Sequence, residues 1–297
     1  MRARKTLYWI AGVFGALVLS LAVVFAVRYA GMNRLLERTI RTVMDNAATH
    51  ASDPVPLRDG LARLTRDLPE PMQRYFDYAV TEDARLMRGV RMRMAGVFRR
   101  PRLLGWDPAL AEQYVSLPDL DYVFTETLRP TPLLWAKAMD SYIDGRMYME
   151  ARLVSAIGAV HVQDVELLDR LSLVRFFLEA PLFPPALLPG PHLRWEPVDQ
   201  DTARAVILLE DEEVGSYLVS VDQVGRITRF EAPGSFHHLD VHGPGEYALR
   251  SDYALVDGYR VPLSFTIGRI LDGEHRAFWS GRVVDLEYDV FQPFGQD

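Results

Sequence analysis

The chain contains no cysteine. That absence excludes disulfides, thiol nucleophiles, cysteine-ligated metals and an acylated lipoprotein cysteine. It is compatible with an oxidising compartment. Lysine occurs only at Lys5 and Lys137, so arginine carries nearly all the positive charge. The net charge of −7 over 297 residues argues against nucleic acid as the main partner. Missing too are a Gly-x-Ser-x-Gly elbow, a phosphate loop, a dinucleotide fingerprint, internal repeats and low-complexity tracts. Nothing in the chain announces a reaction.

What is present begins at the N-terminus. Residues 7–27 form an uncharged, mostly apolar run, preceded by Arg2, Arg4 and Lys5 and followed by Arg28. A helix needs about 20 such residues to cross a bilayer. Val24-Phe25-Ala26 is a tolerable signal-peptidase site, but the length of the run favours a retained anchor. Arg28, Arg34, Arg38 and Arg41 oppose the N-terminal charges, so flanking charge alone does not orient the span. Long C-terminal domains translocate largely regardless of charge, which places the domain outside the cytoplasm. Residues 1–28 are therefore expected as a single-pass anchor, 29–56 as a juxtamembrane helix and linker, and 57–297 as one domain. Leu35, Leu36, Ile40, Val43 and Met44 continue a helical period beyond the anchor. Pro54 and Pro56 end it.

Short helices are expected over 57–68 and 72–80, with Pro71 at the first turn of the second. After residue 84 the period changes to two. Strands are expected over 90–94, 122–128, 142–153, 203–210, 215–221, 227–231, 247–255, 259–267 and 277–288. Asp144-Gly145, Val224-Gly225, Asp257-Gly258 and Asp272-Gly273 are tight-turn chemistry, which argues an antiparallel sheet. One amphipathic helix, 166–179, interrupts the series. The apolar stretch behind it, 180–189, carries four prolines and is expected to pack over the sheet. The fold class is thus α+β: a transmembrane helix, then a curved antiparallel sheet covered by a helix and a proline-rich loop.

Several ordered motifs resemble a family of uncharacterised bacterial membrane-anchored proteins, classed as a domain of unknown function. The opening Leu-Pro-x-Pro-Val-x-Arg-Tyr-Phe pattern is matched by Leu68, Pro69, Pro71, Met72, Arg74, Tyr75 and Phe76. Gly96, Phe98 and Arg99 follow, then Ala111, Glu112, Gln113 and Tyr114, then Asp140, Ser141, Tyr142 and Gly145. The strongest stretch runs from Arg175, Phe176, Phe177, Glu179 and Ala180 to Phe183, Pro184, Ala186, Leu187, Leu188 and Pro189. Leu182 stands where the family often has tryptophan, and Trp195-Glu196 and Arg260-Val261-Pro262 also fit. The resemblance spans about residues 60–290. It implies a bacterial inner-membrane location with the domain on the periplasmic or extracellular side, and no activity or cofactor. The order of elements is also similar, at fold level, to half-barrels such as LolA and RseB. That likeness implies a concave apolar face able to hold acyl chains.

Three groups of side chains compete as sites. Phe183, Leu187 and Leu188 either seal the core or gate a cavity for a lipid or lipidated partner. Arg91 and Arg93 belong to a basic region with Arg85, Arg88, Arg99, Arg100 and Arg102. They either touch anionic lipid head groups or, as strand alternation favours, line the solvated side of a one-sided sheet. His238, Asp240 and His242 would share one face if extended and could ligate a metal in a hydrolase. Gly234, Gly243 and Pro244 place them at a strand end or in a loop instead. Glu112 and Glu179 are expected to pair with arginines such as Arg74 and Arg175, since a buried charge needs a partner. The leading expectation is non-enzymatic lipid binding. The alternatives are a metal-assisted hydrolase and a protein-interaction domain using a sheet edge.

Overall fold

The structure, a computed structural model, describes residues 2–51, 55–99, 105–232 and 245–295. Helix α1, Arg2–Thr49, is continuous for 48 residues. Within it, the part beginning at Gly12 is long and apolar enough to cross a membrane, and its most apolar stretch is wholly exposed. Helices α2, Arg58–Thr65, and α3, Glu70–Ala79, follow, with Pro71 in the first turn of α3 where its missing N–H is not needed.

Thirteen strands then form one antiparallel sheet. They are β1 (Gly89–Phe98), β2 (Asp107–Ser116), β3 (Asp121–Thr131), β4 (Leu134–Ile143), β5 (Arg146–Leu153) and β6 (Ile157–Gln163). After helix α4 (Glu166–Glu179) and two 3₁₀ turns, Ala180–Leu182 and Pro184–Leu187, come β7 (Leu193–Pro197), β8 (Thr202–Leu209) and β9 (Glu212–Val221). The last four are β10 (Ile227–Ala232), β11 (Gly245–Val256), β12 (Tyr259–Leu271) and β13 (Glu274–Tyr288). The spatial order runs β6-β5-β4-β3-β2-β1-β13-β12-β11-β10-β9-β8-β7. Neighbouring strands in the sheet are neighbours in the chain except β1 and β13, whose pairing joins the two halves, and β6 and β7 form the edges.

The Asp-Gly turns behave as their chemistry dictates. Asp144 and Gly145, Asp257 and Gly258, and Asp272 and Gly273 all have positive φ, the requirement of a type I′ hairpin. Gly258 is doubly constrained, because a Cβ there would stand 2.6 Å from the backbone of Ala84. The strand expected over 142–153 is a correction. Asp144-Gly145 divides it, so that Ile143 ends β4 and Arg146 opens β5 opposite it.

Two cores flank the sheet. On the concave face, α3, α4 and the 3₁₀ turns pack with Val90, Met92, Met94, Tyr217, Phe230, Val261 and Phe265. Helix α4 touches β4 and β5 on one side and β8 and β9 on the other, so the sheet curls around it. On the convex face Met32, Leu36, Ile40, Val43 and Met44 of α1 pack with Tyr114, Val123 and Met139. The second half of α1 is thereby an outer layer of the fold. Asn46 donates to Asp121 at 2.8 Å near one end of this contact, and the carbonyl of Arg28 accepts from Arg152 at 3.1 Å near the other.

Candidate functional site in the hollow of the half-barrel

Alternation along β3 directs Tyr122, Phe124, Glu126 and Leu128 to the concave face. Register places Ala111 and Ala138 on either side of Glu126, and Gln113 and Asp140 on either side of Phe124. Farther along the same rows stand Ala151 and Val160. Ala138 and Ala151 are half-buried and Val160 is exposed, so small side chains leave this part of the concave face open beside the edge strand.

Two carboxylates sit at the inner end of that stretch. Glu126 is buried, and its Oε1 has no hydrogen-bond partner. Burial pushes its carboxyl up to about 7. Asp140 Oδ1 is likewise buried and unpartnered. Burial pushes Asp140 up to about 6, against the opposing pull of Arg175. Near Asp140, Arg175 of α4 lies 3.5 Å from Glu246 of β11. Glu246, Asp140 and the phenols of Tyr122 and Tyr217 all act to hold it protonated. The Arg175 side chain is 42% exposed, so solvent reaches the guanidinium on the concave side of the sheet. Tyr217 donates to the other oxygen of Glu246 at 3.4 Å.

The proline-rich segment closes the opposite part of the concave face. Phe183 and Leu187 are fully buried, Pro184 is buried, and Leu188 is half-buried. Phe183 packs 5.4 Å from the ring of Phe176. Trp195 donates to the carbonyl of Leu187 at 2.9 Å, and Tyr288 to that of Leu182 at 2.7 Å, which fixes the irregular backbone from two strands. In this arrangement Phe183 and Leu187 are core.

The convex arginines serve a different purpose. Arg91 is 4% exposed, pairs with Glu287 at 2.7 Å and donates to the carbonyl of Gln292 at 2.9 Å. Arg91 and Arg93 both stack on Phe294, at 4.5 and 4.0 Å from its centroid. Arg93 also pairs with Glu112 at 3.1 Å, and Glu112 accepts from Tyr114 at 2.8 Å. This differs from a solvated strand face. The alternation is present, but α1 and residues 291–294 cover the outer side and bury Arg91, while Arg93 stays 40% exposed.

The remaining motif residues tie elements together. Arg74 bonds Asp201 at 2.8 Å and the carbonyl of Asp222 at 3.0 Å, fastening α3 to the β9–β10 turn. Glu179 pairs with Arg250 at 3.1 Å rather than with Arg175. Tyr75 is fully buried, with no partner for its hydroxyl, and Gln113 is buried between Met92 and Phe124. His238, Asp240 and His242, with Arg100 and Arg102, lie outside the described residues. Among the described residues no cluster of three or more histidine or carboxylate side chains is arranged to hold a metal.

Glu126 and Glu246 were not picked out by motif. A signal existed for Glu126, which falls in phase with Tyr122, Phe124 and Leu128 on an apolar face, where a lone carboxylate is anomalous.

These features define an antiparallel half-barrel plugged by one helix and backed by another. The chain belongs to a family of unknown function (DUF6920), whose model matches residues 66–288. Among solved structures it is similar to a LolA superfamily protein from Nitrosomonas europaea. The identity is 10% and the TM-score 0.41, over 73% of this chain and 91% of that one. It is also similar to a β-barrel-like protein of a domain of unknown function (DUF1849) from Brucella abortus. There the identity is 8% and the TM-score 0.27, over 68% of this chain and 98% of the other. No curated protein matches.

Proposed function

We propose that this is a membrane-tethered envelope protein that binds, without catalysis, one acyl-bearing amphiphile on the concave face. Residues 1–28 are the anchor in the bacterial inner membrane, and the domain lies on its outer side. The acyl chain lies along Ala136, Ala138, Ala151 and Val160, and the polar end reaches Arg175, Asp140 and Glu126. The observation that carries this reading is the pair of unpartnered carboxylate oxygens on Glu126 and Asp140, set at the end of an open apolar stretch. A buried polar atom without a partner costs about 1–3 kcal/mol, so a ligand that supplies the missing hydrogen bonds removes an existing penalty. A protonated Glu126 donates to an ester or amide carbonyl, while Arg175 takes a phosphate or carboxylate.

The test uses the full chain in lipid nanodiscs containing phosphatidylglycerol with a photoreactive acyl chain. Crosslinks are expected at Ala138 and Ala151 as well as along α1, and Ala138→Trp, which fills the open stretch, should abolish the former alone. Crosslinks confined to α1 would sink the proposal.

A further inference from the structure

The β3–β4 hairpin extends past the point where α1 leaves the sheet. Register aligns Thr127, Lys137 and Arg152 across three strands, and Arg152 bonds the carbonyl of Arg28. Arg28 is the first charged residue after the apolar run. From that level α1 continues toward its N-terminus with every described side chain from Gly12 to Arg28 exposed. On the same side, β3 and β4 continue to the turn at Leu133, which stands roughly 13 Å beyond Lys137 at about 3.3 Å per residue.

The tip is built for a dry environment. Leu133 is 84% and Leu134 56% exposed. Pro130 and Pro132 have no N–H to desolvate, and the N–H of Leu134 is satisfied by the hydroxyl of Thr131 at 3.1 Å. Trp135, next in the chain, donates its indole N–H to Ser155 at 3.0 Å. The adjoining β5–β6 turn exposes Leu153 and Ile157, at 49% and 56%. At the other end of the sheet the turns carry Asp119, Asp144, Asp222, Asp257 and Asp289. The β3–β4 and β5–β6 tips are thus an apolar corner of their end of the sheet, beside Arg129 and several strands away from the acidic β8–β9 and β12–β13 turns at Glu210, Asp211 and Asp272, whereas the turns named at the opposite end are acidic.

We infer that the β3–β4 tip, Leu133 and Leu134, inserts into the leaflet from which α1 emerges, giving the domain a second membrane contact. The inference rests on residues 7–27 spanning a bilayer. With Arg28 at the head groups, a polar layer only about 5–7 Å deep separates that level from the acyl region, and the tip reaches beyond it. Pro-flanked leucines and a nearby tryptophan suit that depth. The open end of the hollow is then turned toward the lipid.

Because the chain lacks cysteine, single cysteines report single positions. The full chain carrying Leu133→Cys, Leu19→Cys or Val224→Cys is labelled with an environment-sensitive fluorophore. Each is reconstituted into phosphatidylcholine–phosphatidylglycerol vesicles containing doxyl-labelled lipid. Quenching at Leu133→Cys is expected to approach that at Leu19→Cys and exceed that at Val224→Cys, in the distal β9–β10 turn, several-fold. Quenching at Leu19→Cys with Leu133→Cys no more quenched than Val224→Cys would overturn the second contact and leave the anchor standing. No quenching at Leu19→Cys would overturn both. All three substituted side chains are exposed, so folding is not at issue, and none of the three touches the concave site.

Discussion

Arg250 of β11 donates to the carbonyl of Leu178 at 2.6 Å and to the carboxylate of Glu179 at 3.1 Å, with its own side chain wholly buried. One guanidinium thus satisfies the C-terminal end of α4 and neutralises the acid beside it, locking the plug helix to the far half of the sheet. Arg250→Ala strands Glu179 in the interior. Urea unfolding should show a loss of about 3–5 kcal/mol, as for other broken buried pairs. A loss below about 1 kcal/mol would mean that the link is incidental.

Glu126 should make stability fall as pH rises. Its folded value is raised by burial to about 7, from an ordinary 4.5. Between those values the native state binds more protons than the unfolded chain, so stability is greatest near the lower one and declines until the upper one is passed. Asp140, raised from 3.8 to about 6, adds a component of the same sign. Glu126→Gln removes the larger component. Denaturant midpoints at pH 5 and pH 8 should therefore converge in that variant, with the gain appearing at pH 8. An unchanged pH dependence would show that Glu126 is solvated.

The proline-rich segment separates Leu187 from Leu188. Leu187→Ala is expected to cost about 2–5 kcal/mol, and the half-buried Leu188→Ala less. Phe183→Asp places an unpaired charge in a sealed core and should prevent folding, read by loss of near-ultraviolet circular dichroism. A folded Phe183→Asp protein with altered lipid content would instead identify a gate.

Arg91→Ala should free residues 291–294 rather than change lipid interaction. Amide exchange at Phe294, whose N–H bonds Tyr114 at 3.3 Å, is the readout. Unaltered exchange together with weakened binding to anionic vesicles would restore the head-group role.

A reporter that folds only outside the cytoplasm, fused after Asp297, should be active. Activity from a cytoplasm-only reporter would reverse the proposed topology.

Much of the sheet was legible because period-two patterning and Asp-Gly turns are local signals. Of the missed strands, β2 and β6 lack that signal, while β7 alternates over only five residues and most of β4 went unread. In β2, Asp107-Pro108-Ala109 and alanine at 111 are poor strand formers, and the strand is held by β1 and β3 on either side. Strand β6 is an exposed edge with no buried face to impose alternation. The site was less legible. The rule that buried charges pair was sound for Glu112 and Glu179, but Arg93 and Arg250 were the partners. Those choices depend on which strands become neighbours. The curl that brings Glu246 to Arg175, 71 residues apart in sequence, is a property of the whole sheet.

Helix α1 has a mechanical consequence. The apolar run and the segment packed on β2 to β4 belong to one helix of 48 residues, about 72 Å long, with no interruption between them. A tether of this kind is a rigid mast. With the proposed anchoring, it sets the height and heading of the half-barrel above the membrane, and any change in the tilt of the mast swings the concave face as a lever would. Inserting a Gly-Pro pair at Tyr29 would turn the mast into a hinge while leaving both of its ends intact.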